Sequence, residues 1–145
     1  MSKNDEQTQC GYLMKQITDG ISKISNNQFR KYGLTLRQIR VLNFLYCKGQ
    51  RVPLKQLEAQ FHISQPTVAG ITQRLAKKKL IVLKVSTTNG SAKTASLTEA
   101  GKKLYLESNK YASEMEVTIL SGLDHKEVEN LQQTLEKVLA NIYRL

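Results

Sequence analysis

Long apolar runs are what this 145-residue chain most clearly lacks. None exceeds four residues, as at Leu80–Leu83, whereas a membrane-spanning helix needs roughly 20. The first ten residues are polar and slightly acidic, unlike the basic-then-apolar pattern of a secretory leader. Two cysteines, Cys10 and Cys47, are too few for a disulfide framework, so a reducing cytoplasm is the expected setting. No stretch has the spacing of a phosphate loop, a nucleophile elbow or a paired-acid site, and no enzyme is expected. His62 and His125 fall in different predicted elements and no cluster has metal-ligand spacing, so neither metal nor cofactor is expected. Internal repeats, low-complexity tracts and Pro/Gly-rich linkers are also missing. The length fits one compact domain, or one domain with extensions, 40% hydrophobic and long enough to bury a core.

Acidic residues are scarce where basic ones are dense. The chain carries 22 basic and 12 acidic side chains, a formal charge of +10. Residues 35–98 hold Arg37, Arg40, Lys48, Arg51, Lys55, Arg74, Lys77, Lys78, Lys79, Lys84 and Lys93, against the single acid Glu58. The flanking segments cancel one another, so this central stretch supplies the whole excess. A solvated face ordinarily mixes signs. A long stretch of one sign is the footprint of a polyanion partner.

Helical spacing begins with Leu13, Ile17, Ile21 and Ile24, continues to Phe29 and Tyr32, and stops at Gly33. Thr35 and Gln38 form a capping box that opens a second helix, whose stripe is Leu36, Ile39, Leu42 and Tyr46 and whose end is Gly49. A short helix is predicted over Leu54–Phe61, with His62 in the turn as a residue that tolerates positive φ. Ser64 then caps a helix with Pro66 in its first turn and Val68, Ile71 and Leu75 inward.

Beyond Leu80 the period changes to that of strands, around Asn89-Gly90. A three-residue loop, Asn89-Gly90-Ser91, would pair Leu83 with Leu97 and Val85 with Ala95 and keep one face apolar. From Thr98 a helix with Ala100, Leu104, Tyr111 and Met115 on one side is expected. After Gly122, Asp124 and Glu127 cap the last one. That helix carries Val128, Leu131, Leu135, Val138, Ile142 and Leu145 at coiled-coil-like spacing, which predicts dimerisation through the chain ends.

This order of elements is mainly α with a small β-hairpin wing: a winged helix-turn-helix over residues 35–98. Residues 1–34 and 99–145 supply N- and C-terminal dimerisation helices, with Leu13, Ile17, Ile21, Val128, Leu131, Leu135, Val138 and Ile142 at the seam. The helix Gln65–Lys78 would enter the major groove of double-stranded DNA. Its outward positions are Gln65, Thr67, Ala69, Gly70, Thr72, Gln73, Arg74 and Lys77. Gln65 and Gln73 have the amide geometry for bidentate contacts with adenine, and Thr67 suits a base edge or a thymine methyl. Arg74, Lys77 and Lys78 suit phosphates, while Pro66 and Ala69 offer apolar contact only.

Several segments resemble the multiple-antibiotic-resistance regulator (MarR) family of bacterial transcription factors, from about Leu13 to Ile142. They are Gly33-Leu34-Thr35-Leu36-Arg37-Gln38, Leu57, Ile63-Ser64-Gln65-Pro66-Thr67-Val68, Arg74-Leu75, Lys79-Leu80-Ile81, Ser96-Leu97-Thr98-Glu99-Ala100-Gly101 and Gly122-Leu123-Asp124-His125-Lys126-Glu127. The resemblance implies a homodimer on a pseudo-palindromic operator, with recognition helices in major grooves about one turn, ~34 Å, apart. It also implies a wing in the minor groove, and often a repressor released by a small aromatic effector that favours a lobe spacing unfit for DNA. In the interface it places Ser64, Gln65, Pro66, Thr67, Ala69, Gly70, Gln73, Arg74, Lys77 and Lys78, and in the wing Asn89, Gly90, Ser91 and Lys93. Where the family commonly carries Asp-x-Arg at the wing tip, this chain has Asn89, Gly90 and Ser91, leaving Lys93 as the nearest cation. Gly70 replaces a frequent arginine and His62 the usual turn glycine.

Two other readings stay open on the sequence. Cys10 lies in the region where some members of the family sense peroxides through a thiol, although Leu36 stands at a position where a supporting tyrosine would be expected. A winged helix can also bind another protein through the same surface. Against an RNA partner, Phe44, Tyr46 and Phe61 read as core aromatics rather than exposed stacking platforms, and Cys47 as a small core residue.

Overall fold

The computed structural model describes residues 3–85 and 92–145, with side chains from Gln9 onward. In chain order the elements are α1 (Lys3–Phe29), a single 3-10 turn (Arg30–Tyr32), α2 (Leu36–Lys48), β1 (Val52–Pro53), α3 (Leu54–Phe61), α4 (Gln65–Lys77), β2 (Ile81–Val85), β3 (Lys93–Leu97), α5 (Glu99–Ile119) and α6 (His125–Ile142). They form two compact units, one reaching Leu106 and one beginning at Glu107.

In the first unit, the helix boundaries follow from local chemistry. The 3-10 turn ends on Gly33 at φ 66°, which donates to the Arg30 carbonyl at 2.8 Å. A left-handed residue here lets the chain reverse without a Cβ clash. Thr35 and Gln38 make both halves of the capping box, side chain to backbone in each direction. The Asn26 Oδ1 accepts from the Leu36 amide at 2.7 Å, tying α1 to the start of α2. His62 closes α3 at φ 51°, and the Ser64 hydroxyl accepts from the Thr67 amide at the head of α4.

The core of this unit is built on Leu42, Leu57 and Leu75, each fully buried, together with Val41, Val52 and Val68. These side chains come from α2, α3, α4 and β1, so the three short helices and the sheet share one apolar centre. Only the last turns of α1 join it, through Ser25 and Phe29; Leu13, Ile17 and Ile24 remain more than half exposed. α5 begins against the base of the wing. A Cβ on Gly101 would lie 2.1 Å from the Leu80 carbonyl oxygen, so only glycine permits that approach.

The wing differs from expectation in two ways. Its sheet has three antiparallel strands in the order β1-β3-β2, because Val52 pairs with Ala95 beside the hairpin. Its register is shifted by two residues: Ile81 faces Leu97 and Leu83 faces Ala95, rather than Leu83 facing Leu97 and Val85 facing Ala95. A shift of two keeps the apolar face intact, so the alternation alone does not distinguish the two registers. The base of the hairpin does. The Thr98 amide donates to the Leu80 carbonyl at 3.1 Å and its hydroxyl to the Lys79 carbonyl at 2.7 Å, pinning the observed pairing. Asn89, Gly90 and Ser91 lie outside the described residues.

Other corrections concern burial. Thr72 is not an outward residue of α4 but 1% exposed. Its hydroxyl donates to the Val68 and Ala69 carbonyls at 2.9 and 3.2 Å, which lets a polar side chain sit in the core. Ala100 is exposed, and the buried line of α5 instead runs through Gly101, Leu104 and Ser108. Cys47 is exposed and not a core residue. Tyr46 is also exposed, with its ring stacked on Tyr105 at 3.8 Å between centroids, whereas Phe44 packs edge-on against Phe61.

In the second unit, Gly122 at φ 87° turns the chain and Asp124 with Glu127 forms a complete capping box on α6. The expected stripe lies along this helix. Val128 and Val138 are half-buried, while Leu131, Leu135, Leu139 and Ile142 are 39–59% exposed.

Candidate nucleic-acid interface

α4 is a helix with one face fixed and one free. Val68, Ile71, Thr72 and Leu75 anchor it to the core, leaving Gln65, Pro66, Gln73, Arg74 and Lys77 exposed and Thr67, Ala69 and Gly70 half-buried. Side chains on a packed helix sit at defined positions, which an interface that reads bases needs. Ser64 and Thr67 are linked by their hydroxyls at 2.9 Å, so the head of the helix presents a joined polar pair. At Gly70 a Cβ would meet nothing within 4 Å, so the middle of the free face is open.

The lysines after α4 do not form one uniform cluster. Lys77 is exposed on the helix itself. Lys78 folds back over the 3-10 turn: a Cβ on Gly33 would lie 2.7 Å from its Nζ, and a cation there complements the carbonyl end of that turn. Lys79 adopts a left-handed backbone at φ 59°, the conformation that turns the chain from α4 into β2. In the wing, Lys93 is exposed at the start of β3.

Helical and strand periods do not single out Arg30, Arg37 and Arg40. The fold brings them together, lining a cleft of about 860 Å³ with Arg74, Thr67 and Gly70 of α4. On the sequence Arg37 and Arg40 are two members of the basic excess with no shared spacing to Arg74; their common placement depends on α1, α2 and α4 meeting in space. On the opposite flank of α4 a second cleft, of about 520 Å³, is lined by Lys55, Glu58, Gln65, Gln73, Leu83 and Lys93.

Elsewhere the chemistry is sparse. Among the described residues no group of three or more His, Cys, Asp or Glu could hold a metal ion, and no helix is long and apolar enough to cross a membrane. Cys10 is exposed on α1. Burial pushes the Tyr105 phenol above its ordinary value, reinforced by neighbouring Cys47 and Tyr46.

A buried-faced, capped helix beside a small wing has a counterpart among known proteins: the sequence profile described as MarR family matches residues 32–90. Over that segment the chain is similar to the MarR family. It is 29% identical over 130 residues to the HTH-type transcriptional regulator MhqR of Bacillus subtilis, covering 89% of this chain and 88% of that one. Staphylococcus aureus MepR in its complex with DNA superposes with a TM-score of 0.76 at 26% identity, over 91% of this chain and 95% of MepR. BldR of Sulfolobus solfataricus gives a TM-score of 0.79 over 97% of this chain and 99% of its own, and at 22% identity that match speaks for the fold alone.

Proposed function

We propose that this DNA-binding transcriptional regulator acts in the cytoplasm as a homodimer on a pseudo-palindromic operator, placing α4 of each protomer in the major groove. The observation that carries the reading is α4 itself, whose Gln65, Gln73, Arg74 and Lys77 stand free on a helix fixed by Val68, Ile71, Thr72 and Leu75. Gln65 and Gln73 read base edges, and Arg74 and Lys77 hold phosphates. Lys93, exposed at the start of β3, approaches the neighbouring minor groove. Dimerisation is supported by unpartnered apolar residues on each unit, Leu13 and Ile17 on α1 and Leu131, Leu135 and Ile142 on α6.

Operator release by a small aromatic effector is part of the same proposal. The cleft lined by α3, α4 and the wing is within the usual volume range of ligand sites. A molecule lodged there would favour a state in which α4 is displaced from the groove. The test of the function is sequencing of host genomic fragments retained by the purified protein at physiological salt. One recovered inverted repeat is the expected result; random fragments, or none, would contradict the proposal.

A further inference from the structure

The arginine-lined cleft beside α4 carries an inference that rests on the DNA-binding reading and extends it. An α-helix with its side chains is roughly 10–12 Å across, and the major groove is about 12 Å wide. A helix lying in that groove therefore fills it, and whatever flanks the helix meets the phosphate ridges that form the groove walls. At 100° per residue, Thr67, Gly70 and Arg74 lie on one flank of α4, while Gln65, Ala69 and Gln73 lie towards the other. The two clefts follow this division.

The flanks differ in charge. The second cleft has Lys55 and Lys93 with the carboxylate Glu58 between the same walls. The first has Arg30, Arg37, Arg40 and Arg74 and no acidic residue in its lining. Among the described residues the salt bridges are Lys15 with Asp19 and Lys102 with Glu99, so none of these four guanidinium groups is neutralised by a carboxylate. The head of α2 opens into the same cleft. Its Leu36 amide is held by Asn26 and its Gln38 amide by Thr35, while among the described residues the Arg37 amide between them has no acceptor. Planar guanidinium groups and a free helix-terminal N–H suit phosphate oxygens.

We propose that the cleft between α1, the head of α2 and the Thr67–Arg74 flank of α4 seats the sugar-phosphate backbone of one DNA strand, with Arg37 and Arg40 as phosphate-positioning residues. α2 thus grips the wall of the groove that α4 reads. These contacts neutralise charge without touching bases, so they raise affinity for every duplex alike.

The experiment is a salt titration of binding to the recovered operator and to a random duplex, for the wild type, Arg37→Ala/Arg40→Ala, Arg37→Lys/Arg40→Lys and Lys126→Ala. For the alanine variant both affinities are expected to fall by a similar factor, about tenfold or more. The slope of log affinity against log salt should become shallower by about 0.9 for each phosphate that is no longer neutralised. The lysine variant keeps the charge and should restore most of the slope. Lys126 lies on α6 and lines neither cleft, and its substitution should change neither quantity. Melting curves establish that the variants are folded. A wild type that binds the operator beside an alanine variant with unchanged slope would overturn the cleft proposal alone. So would an altered sequence preference at unchanged slope. A wild type that retains no duplex even at low salt would overturn both the cleft and the function on which it rests.

Discussion

Lys79 shows how a single residue can serve both backbone and partner. Its left-handed φ of 59° costs a non-glycine residue about 1–2 kcal/mol, yet its carbonyl is the acceptor that fixes Thr98 and with it the wing. Lys79→Gly keeps that carbonyl and relieves the strain, offset in part by glycine's greater unfolded-chain entropy. The expected outcome is a gain of about 0.5–1 kcal/mol in a denaturant titration; a loss of stability would show that the lysine side chain supports the turn. Gln65 is a separate case, since it is exposed at the head of α4 and should act on recognition alone. Gln65→Ala is expected to cost about 1–3 kcal/mol on the preferred operator and little on random DNA. An equal loss on both would place Gln65 among the phosphate contacts.

Among the elements, helix ends are the most legible features because their determinants are local. Thr35 with Gln38, Asp124 with Glu127, Ser64, His62 and Gly49 each cap a helix where the sequence places the boundary. The features that are not legible depend on partners distant along the chain. The strand Val52–Pro53 exists only because β3 lies beside it. The wing register is set by Thr98 across the base of the hairpin, not by the alternation along either strand. Thr72 is buried because carbonyls of its own helix satisfy its hydroxyl, which an inspection of apolar spacing overlooks.

The same separation applies to the interface. The exposed face of α4 can be read from its period, whereas the gathering of Arg30, Arg37 and Arg40 beside Arg74 requires three helices in place. At the contact between α5 and the wing base, Gly101→Ala would drive a methyl group into the Leu80 carbonyl. A loss of about 1–3 kcal/mol is expected from such overpacking, read by thermal melting. Unchanged stability would mean that α5 shifts freely from that contact.

Across the whole molecule, the charge and the apolar surface divide the labour. Residues 35–98 carry the basic excess, and α6 carries an apolar stripe that its own unit leaves exposed. Burying such side chains is worth roughly 25 cal/mol per Å² of apolar area, a gain that a second copy of the chain would supply. Leu135→Glu places a charge in the centre of that stripe. It is expected to yield monomers by sedimentation and to lose tight operator binding while each chain stays folded. A dimer of undiminished strength would exclude α6 from the seam.

The central claim is that this chain distinguishes one DNA sequence from others, beyond the attraction of any polyanion to a basic surface. The most direct measurement is the ratio of affinities for the recovered inverted repeat and a shuffled duplex of equal length at physiological salt. The account predicts a preference of about a thousandfold or more, with two chains bound per repeat. A ratio near one, with both affinities vanishing together as salt rises, would contradict it.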